Sequence, residues 1–448
     1  MPLYQDGTTP HPVPCLYADS ATRMTTAVLG AGALGLTLAY RLAQAGEPVE
    51  VFEGAGEPGG LAAGFQVGGT YLEKFYHHLF GTDRAAIALI TELGLGDQLL
   101  WLRPQSSILY QGGMYPMDSI GAVLRFPPLS LLNRLRLGAV TAYLKVERNY
   151  HRLEHMTASA WLQRWMGGEP YRVVWEPLMR SKFGAHADSI LMSWMWARLH
   201  YRTAKLGYLR GGFQQLYQRL VEAIQRHGGT VHLGESVRRV APRTAGGYDV
   251  LTDKRSSVFD LVVSTAPTHV TFQLAPDLPA EFRQQFDQVL AYGAHCVVLE
   301  LDRRLMQPYW LCINDPGFPF LAAVEHTNLM PPADYAGKHL LYLGNYLPQD
   351  DPLFARRDAD VVAEFMAALP RLNSAFQPAW VTGAHVFKAP YAQPIVTAGF
   401  LDHLPPNRTP LPGLYMANMF QVYPQDRGQN YSIALAERVA RMVLEDRG

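Results

Sequence analysis

Apolar and polar positions near the start of the chain follow a strand–helix–strand pattern. Thr25–Leu29 is a short apolar run typical of a buried strand, and Leu36–Ala45 has apolar residues at helical spacing. Gly46 ends that helix, and Pro48–Phe52 is a second apolar run. The pattern predicts a βαβ unit, which is the usual beginning of a parallel sheet covered by helices.

The turn between the first strand and the helix has the form GxGxxG, from Gly30 to Gly35. In such a turn Gly30 permits the tight bend, Gly32 lets the backbone approach a pyrophosphate, and Gly35 lets the helix pack closely on the strand. The free N–H groups of the helix N-terminus attract phosphate. Glu53, at the tip of the second strand, can accept two hydroxyls of an adenosine ribose. We therefore predict a dinucleotide site, although this acid alone does not choose between NAD and FAD.

A second glycine pair, Gly59-Gly60, follows Glu53 and precedes Leu61. Its spacing resembles the extended fingerprint of the FAD-dependent superfamily of amine oxidases, protoporphyrinogen oxidases and phytoene desaturases. In that family the pair lies along the pyrophosphate and ribityl chain of FAD. Amine oxidases often have arginines just before and after the pair, where this chain has Glu57 and Leu61. The variant therefore looks more like the desaturase and protoporphyrinogen-oxidase-like branch.

Later segments carry the same resemblance. A helical run from Leu209 to Ile224 leads to a strand and to Val237, whose backbone in the family meets the adenine. A strand over 412–418 and a helix from about Tyr431 to Leu444 close the chain, and the resemblance implies that this helix points its N-terminus at the flavin. The family usually has an acid after that strand, where this chain has Asn418-Met419. Asp426 or Asn430 could substitute for that acid.

The resemblance implies an α/β fold, in which a Rossmann-like FAD-binding domain of the glutathione-reductase type is interleaved with an α+β substrate domain. The predicted parts are a flexible N-terminal extension (1–23), three FAD-binding segments (24–115, 209–267 and 406–448), a helical substrate-facing or membrane-facing part (116–208) and a substrate-binding part (268–405). The expected FAD-binding residues are Gly30, Gly32, Ala33, Leu34, Gly35, Glu53, Gly59, Gly60, Leu61, Val237, Asn418, Met419, Asp426, Asn430 and Tyr431.

The segment after a predicted hairpin turn at Gly68-Gly69 contains His77 and His78. In similar flavoproteins, including UDP-galactopyranose mutase, a histidine-containing segment at this point runs past the isoalloxazine ring. A neutral imidazole there could orient a substrate or relay a proton. Tyr391 lies where the family often places an aromatic residue in the cavity wall. Lys74 is a further candidate, because amine oxidases use a lysine–water pair near the flavin.

The helical part contains features that admit two interpretations. Thr157 and Ser189 can each cap a helix. The Met and Trp residues of 192–196 indicate either core packing or the wall of an apolar substrate channel. Ile120–Lys145 mixes apolar and basic residues, which would suit a helix resting on a bilayer, whereas its two prolines favour an internal helix pair.

Composition excludes several classes of protein. Only 17% of the 448 residues are charged, 48% are hydrophobic, and the formal net charge is zero, which argues against a disordered chain and a nucleic-acid binder. The three cysteines show neither a disulfide framework nor a zinc site, and we expect a cytoplasmic protein. The apolar surplus favours a bulky or lipophilic substrate.

Because there is one GxGxxG motif, a second nucleotide-binding domain for NADPH is not expected, and the reducing equivalents should come from an organic substrate. The leading hypothesis is an FAD-dependent oxidase, dehydrogenase or desaturase that passes a hydride to flavin N5 and is reoxidised by oxygen or a quinone. A mutase of the UDP-galactopyranose mutase kind is an alternative, although the sequence shows no clear paired-arginine site for a diphosphate. A non-catalytic flavin-fold carrier is the third hypothesis.

Overall fold

The computed structural model describes residues 24–287, 289–425 and 427–447, so the predicted N-terminal extension lies outside the described residues. The first ten strands are β1 (Thr26–Leu29), β2 (Val49–Glu53), β3 (Gly64–Val67), β4 (Thr70–Glu73), β5 (Leu79–Phe80), β6 (Leu99–Leu102), β7 (Ser106–Tyr110), β8 (Gly113–Pro116), β9 (Leu206–Leu209) and β10 (Thr230–Leu233). They are followed by β11 (Val237–Pro242), β12 (Tyr248–Thr252), β13 (Ser256–Phe259), β14 (Leu261–Ser264), β15 (Ala291–Leu301), β16 (Trp310–Ile313), β17 (Ala322–Glu325), β18 (His339–Leu347), β19 (Val381–Pro394) and β20 (Leu414–Met416).

The helices of the described chain are α1 (Ala33–Gln44), α2 (Arg84–Glu92), α3 (Ile120–Leu124), α4 (Leu131–Val146), α5 (Ala158–Met166), α6 (Gly168–Pro170), α7 (Glu176–Phe183), α8 (Met192–His200), α9 (Gln214–Arg226), α10 (Thr268–Leu274), α11 (Ala280–Phe286), α12 (Asp358–Ala368) and α13 (Gln429–Glu445). A π-helical turn at Tyr171–Trp175 joins α6 to α7. Helix α1 begins three residues earlier than the apolar spacing predicted, because the glycine turn ends at Gly32.

A five-stranded parallel sheet, in the order β10-β2-β1-β14-β20, forms the nucleotide-binding half. Its central strand β1 is fully buried and pairs with β2 on one side and β14 on the other. Helices α1, α9 and α13 pack together against one face of this sheet. Strands buried on both faces read as continuous apolar runs, which is why the pattern of Thr25–Leu29 was informative. The predicted α/β fold is confirmed.

A seven-stranded sheet, in the order β19-β15-β18-β17-β16-β7-β8, forms the second half. Strands β15, β18 and β19 are long and antiparallel, and helix α12 covers one face through Phe365 and its neighbours. Its other face is turned toward the nucleotide-binding half, where even-numbered β15 residues such as Cys296 join the cores of that side. The interleaved substrate domain is therefore an α+β unit stacked beside the parallel sheet.

Two predicted boundaries need correction. The first FAD-binding segment was expected to reach residue 115, but β7 and β8 belong to the seven-stranded sheet, where β7 pairs with β16. The substrate part was expected to begin at 268, but α10 and α11 pack into the core of the nucleotide-binding half through Phe272 and Phe286. Both differences arise from pairing and packing with residues distant in sequence, which local patterns do not reveal.

Helices α3 to α8 form the predicted helical part. Thr157 caps α5, since its Oγ1 accepts from the Ala160 N–H at 3.3 Å. Ser189 does not cap α8: Leu191 precedes that helix, and the Ser189 hydroxyl donates to the His186 carbonyl instead. Trp194 is fully buried within the core of this part, as the core-packing interpretation requires. Within the described residues, no helix is both long and apolar enough to cross a membrane.

Candidate FAD and substrate cavity

A cavity of about 770 Å³ lies at the carboxyl edge of the parallel sheet, between that sheet and the seven-stranded one. Ligands of open α/β sheets bind at this edge, because the loops that leave the strand ends converge there. Most of the expected site residues line this cavity: Gly30, Gly32, Ala33, Leu34, Glu53, Gly59, Gly60, Leu61, His77, His78, Val237, Tyr391, Asn418, Met419 and Tyr431. The topology therefore brings together residues that the sequence scatters over 400 positions.

The glycine turn shapes one end of the cavity. Gly30 has a φ of +106°, and a side chain there would also meet Thr265 Oγ1 at 2.6 Å. Gly32 is the residue before α1, has no side-chain cap, and has open space where a Cβ would project. Open space beside an uncapped helix N-terminus suits a pyrophosphate, which the N–H groups and the helix dipole attract.

Gly35 does not line the cavity. A Cβ at Gly35 would lie 1.9 Å from the Gly30 carbonyl oxygen, so this residue allows helix α1 to pack against the turn. Its contribution to a dinucleotide site is to hold the turn and the helix together, in agreement with the packing role given to the third glycine of such motifs.

Glu53 borders the same end of the cavity. Its Oε2 accepts from the Ala31 N–H and its Oε1 accepts from the Ala55 N–H, both at 2.9 Å. These bonds fix the carboxylate beside the glycine turn, next to Val237, where ribose hydroxyls can reach it. The Gly59 N–H donates to the Ala31 carbonyl at 2.8 Å, so the second glycine pair lies directly against the first.

The C-terminal segment closes the cavity. Helix α13 begins at Gln429, and the first-turn residues Tyr431 and Ser432 face the cavity. Asn418 lines the cavity too, but its side chain donates to Thr268 Oγ1 and accepts from the Phe420 N–H. It therefore supports the loop by its side chain, and only its remaining surface faces a ligand.

Of the two candidates for the missing acid, the structure describes only Asn430. Asn430 was expected at the cofactor, but it is not among the described residues that line the cavity. It is buried, and its Oδ1 accepts from the Ala86 N–H at 3.1 Å, so it ties α13 to α2. Asp426 lies outside the described residues.

The two histidines lie side by side in the cavity wall. His77 Nδ1 is 2.6 Å from the Phe75 carbonyl oxygen, and His78 Nδ1 is 3.4 Å from Tyr309 Oη. Desolvation inside the molecule lowers the pKa of His77 to about 4. Desolvation, together with the positive charge of Arg202, lowers the pKa of His78 to about 3. Both imidazoles are therefore neutral at physiological pH. The Tyr391 ring contacts the His269 ring, with centroids 3.9 Å apart and planes tilted by 35°.

Four basic residues of the described chain line the cavity: Lys182, Arg198, Arg202 and Arg427. Lys182 is buried among aromatic rings, with its Nζ 5.0 Å from the centroid of Tyr346. Arg427 lies 4.4 Å from the same centroid and donates to the Tyr346 hydroxyl. For Lys182, Arg198 and Arg202, which sequence reasoning missed, the available signal was their position within a Met- and Trp-rich helical region, where a solvated charge is out of place. Lys74, in contrast, does not line the cavity.

A buried carboxyl group supports the histidine segment from behind. Glu73 accepts from the Phe213 N–H at 2.6 Å and from the Tyr208 hydroxyl at 2.7 Å, while the Tyr342 hydroxyl donates to its main-chain carbonyl. Desolvation raises the pKa of Glu73 to about 7, although both hydrogen bonds oppose this shift. Glu73 therefore anchors the start of the segment that carries His77.

The family of the chain follows from a match to a family model. The model of flavin-containing amine oxidoreductases matches residues 35–424, which is most of the chain. The chain belongs to this family. FAD is the standard cofactor of these flavin amine oxidoreductases, and the glycine turn, the open space at Gly32 and the Glu53 carboxylate fit it.

Individual relatives agree with the resemblance to oxidases and desaturases. The chain is 26% identical over 279 residues to a "Putative flavin-containing monoamine oxidase AofH" of Mycobacterium tuberculosis, a match that spans 57% of this chain and 60% of that protein. It is 22% identical over 433 residues to the "15-cis-phytoene desaturase" of Synechococcus elongatus, spanning 88% and 90% of the two chains.

Solved structures share the fold. A "Putative protoporphyrinogen oxidase" of Exiguobacterium sp. 255-15 superposes with a TM-score of 0.75 at 18% identity, covering 94% of this flavin amine oxidoreductase and 99% of that chain. Reduced UDP-galactopyranose mutase also gives 0.75, at 14% identity and with 94% and 96% covered. The predicted resemblance is therefore confirmed, by sequence for the amine oxidases and desaturases and by fold for the protoporphyrinogen oxidase and the mutase.

The open space at Gly32 gives a test of cofactor binding. We expect Gly32→Val to fill the pyrophosphate space and to lower FAD affinity by at least about tenfold. Quenching of flavin fluorescence on titration into apoprotein measures this affinity. Gly56→Val is the matched control, because Gly56 is exposed, also has open space at its Cβ, and does not line the cavity. Equal affinities for the two variants would contradict the placement of FAD at this turn.

The buried Glu73 carboxyl group predicts a pH dependence of stability. Its pKa of about 7 in the folded chain exceeds the value of 4.5 for a free carboxyl, so the folded state holds the proton more tightly. The free energy of unfolding should therefore fall as the pH rises from about 4.5 to 7, by an amount on the order of 3 kcal/mol. We expect Glu73→Gln to remove the part of this pH dependence that comes from Glu73. Urea unfolding at several pH values between 4.5 and 7 measures the free energy of unfolding.

Glu325→Gln provides the comparison for Glu73. Glu325 is also buried, accepts from the Leu305 and Met306 N–H groups, and has a pKa raised to about 7 by desolvation. Each single variant should reduce the pH dependence of the free energy of unfolding by the contribution of its own carboxyl group. The double variant should reduce it by the sum of the two contributions. A Glu73→Gln protein with the full wild-type slope would show that the Glu73 carboxyl does not titrate in this range.

Proposed function

We propose that this chain is an FAD-dependent oxidase, dehydrogenase or desaturase that oxidises a bulky, largely apolar organic substrate. The observation that carries this proposal is a single cavity with two different ends. One end has the glycine turn and Glu53, and the other is lined by the aromatic residues Tyr76, Trp310 and Tyr346. Such a cavity can place an organic molecule next to the reactive end of a dinucleotide.

Bound FAD would supply the hydride acceptor, with oxygen or a quinone as the proposed final acceptor. The protein contributes binding, orientation and exclusion of water. Tyr76 packs edge-on against both Trp310 and Tyr342, with interplanar angles of 88° and 89°, so the aromatic wall is held rigidly. Flat apolar walls of this kind favour substrates with extended hydrophobic surface.

The neutral state of the two histidines determines which proton transfers the cavity wall can support. A neutral imidazole can accept a proton or a hydrogen bond, and its low pKa makes it a weak base. His77 is held by the Phe75 carbonyl, which orients the ring. We infer that His77 and His78 orient the substrate and are not required to carry a positive charge. Tyr391, a residue of the edge strand β19, adds a further aromatic group to the cavity wall.

Two observations on relatives support the substrate class without identifying a compound. A phytoene desaturase is among the relatives matched over most of their length, and its name states phytoene as the substrate of that protein. The monoamine oxidase relative is matched over a smaller share, so an amine substrate has weaker support.

A flavin-dependent mutase without net redox is the second candidate. The sequence showed no paired-arginine site for a diphosphate, but the fold brings Arg198, Arg202 and Arg427 to the same cavity. Arginine groups bind phosphate oxygens with two parallel hydrogen bonds, so this grouping supports the candidate. The similarity to UDP-galactopyranose mutase is a similarity of fold and by itself does not choose between the two functions.

Anaerobic spectroscopy tests the main proposal. We expect the purified protein to be yellow, and an oxidisable polyisoprenoid, porphyrinogen or amine to bleach the flavin absorbance in the absence of oxygen. Readmission of oxygen or addition of a quinone should restore it. Activity that requires prior reduction by dithionite, with a nucleotide sugar isomerised and no bleaching, would favour the mutase. Protein that cannot be reconstituted with FAD would contradict both and favour a carrier.

The low pKa values of the histidines predict the pH profile. Because His77 and His78 become charged only below pH values of about 4 and 3, neither should titrate between pH 5 and 9. We therefore expect kcat/KM to show no limb near pH 6.5, measured with whichever substrate bleaches the flavin. A limb near 6.5 that disappears in His77→Gln would contradict this assignment.

A further inference from the structure

Helix α4 carries an apolar face on its solvent side. At 100° per residue, Leu131, Leu132, Leu135, Tyr143 and Val146 fall within an arc of about 120°. Leu131, Leu132 and Val146 are 62%, 76% and 72% exposed. The opposite side of the helix carries the buried Leu137 and Leu144, which pack into the helical part. A surface helix normally has polar residues where α4 has this exposed arc, which we call the apolar face.

Neighbouring elements extend the apolar face at both edges. On one edge, Arg134 donates to the Leu124 carbonyl at 2.9 Å, and Leu124 is itself exposed. On the other edge, Arg136 donates to the Trp165 carbonyl at 2.6 Å, and the Trp165 side chain is exposed. Helices α3 and α5 therefore broaden a contiguous apolar surface centred on α4.

Basic residues outnumber acidic ones around the apolar face, where Glu147 accepts from the Tyr143 hydroxyl and Glu169 accepts from the Asn133 side chain. Ile120–Val146 contains four basic residues and no Asp or Glu. Three of them are tied to main-chain carbonyls: Arg134 and Arg136 as above, and Lys145 to those of His200 and Arg202. These bonds hold the positive charges at the rim of the apolar face while the apolar side chains project outward.

We propose that this surface rests on a lipid bilayer with anionic headgroups, with α4 lying in the plane of the interface. Apolar residues flanked by basic ones are the pattern of interfacial helices, since the former enter the headgroup region and the latter meet anionic phosphates. At about 1.5 Å per residue, the 16 residues of α4 give a contact about 24 Å long. The charge complementarity selects this partner over an uncharged apolar one.

The apolar face adjoins the cavity described above. Lys145 reaches the carbonyls of His200 and Arg202, and Tyr201 and Arg202 line the cavity. A molecule dissolved in the lipid would thus meet the cavity rim close to the interface. The membrane contact does not depend on the proposed oxidation and can be tested in its absence.

Vesicle flotation with the full chain tests the proposal. We expect the protein to float with vesicles of phosphatidylcholine containing phosphatidylglycerol, more weakly with phosphatidylcholine alone, and less as salt is raised. Leu131→Gln with Leu135→Gln should weaken binding to the anionic vesicles by at least about tenfold. Arg125→Gln should reduce binding to anionic vesicles while leaving the weaker binding to neutral vesicles unchanged.

The matched control is Leu251→Gln with Val258→Gln. These residues are 45% and 52% exposed on the small sheet of β11, β12 and β13, so the change in polarity is the same at another surface. The control should float like the wild type, and circular dichroism melting should be unaltered in both double variants. Absence of flotation with anionic vesicles at low salt would overturn the proposal. So would a wild-type dimer that Leu131→Gln with Leu135→Gln converts to a monomer, because a second copy would then cover the apolar face.

Discussion

The close approach of helix α1 to the end of β1 is the constraint on which the cofactor site depends. A single Cβ at Gly35 would collide with the Gly30 carbonyl, so the helix can begin beside the turn only because that position has no side chain. This approach aims the N-terminus of α1 into the cavity and lets Glu53 accept from the Ala31 N–H. The loops that follow the other parallel strands form further walls of the cavity at the same carboxyl edge of the sheet.

The cofactor half of the site was largely predictable because its signals are local. The turn, the ribose acid and the second glycine pair lie within about thirty consecutive residues, and each has a backbone requirement that a sequence motif expresses directly. Asn430 was misplaced because adjacent helical residues point about 100° apart. Tyr431 faces the cavity, and the residue before it turns inward to Ala86.

The substrate half was less predictable because it is assembled from distant segments. Lys182 and Arg427 both lie against the Tyr346 ring, and no sequence pattern predicts that these three residues are close together. The domain boundary at 115 was misplaced for the same reason, since β7 finds its partner β16 far along the chain. The buried Glu73 behind the histidine segment also looked like an ordinary strand residue until Tyr208 and Phe213 were placed around it.

The packing of α1 against α13 has a consequence for the order of events during synthesis. Helix α13 covers α1 and supplies the first-turn residues that close the cavity, and β20 completes the parallel sheet beside β14. A nascent chain that has emerged only as far as β19 therefore holds the glycine turn but lacks the last wall. High sequence separation between contacting elements slows folding, and here it also means that the cavity wall is complete only after helix α13 has emerged from the ribosome.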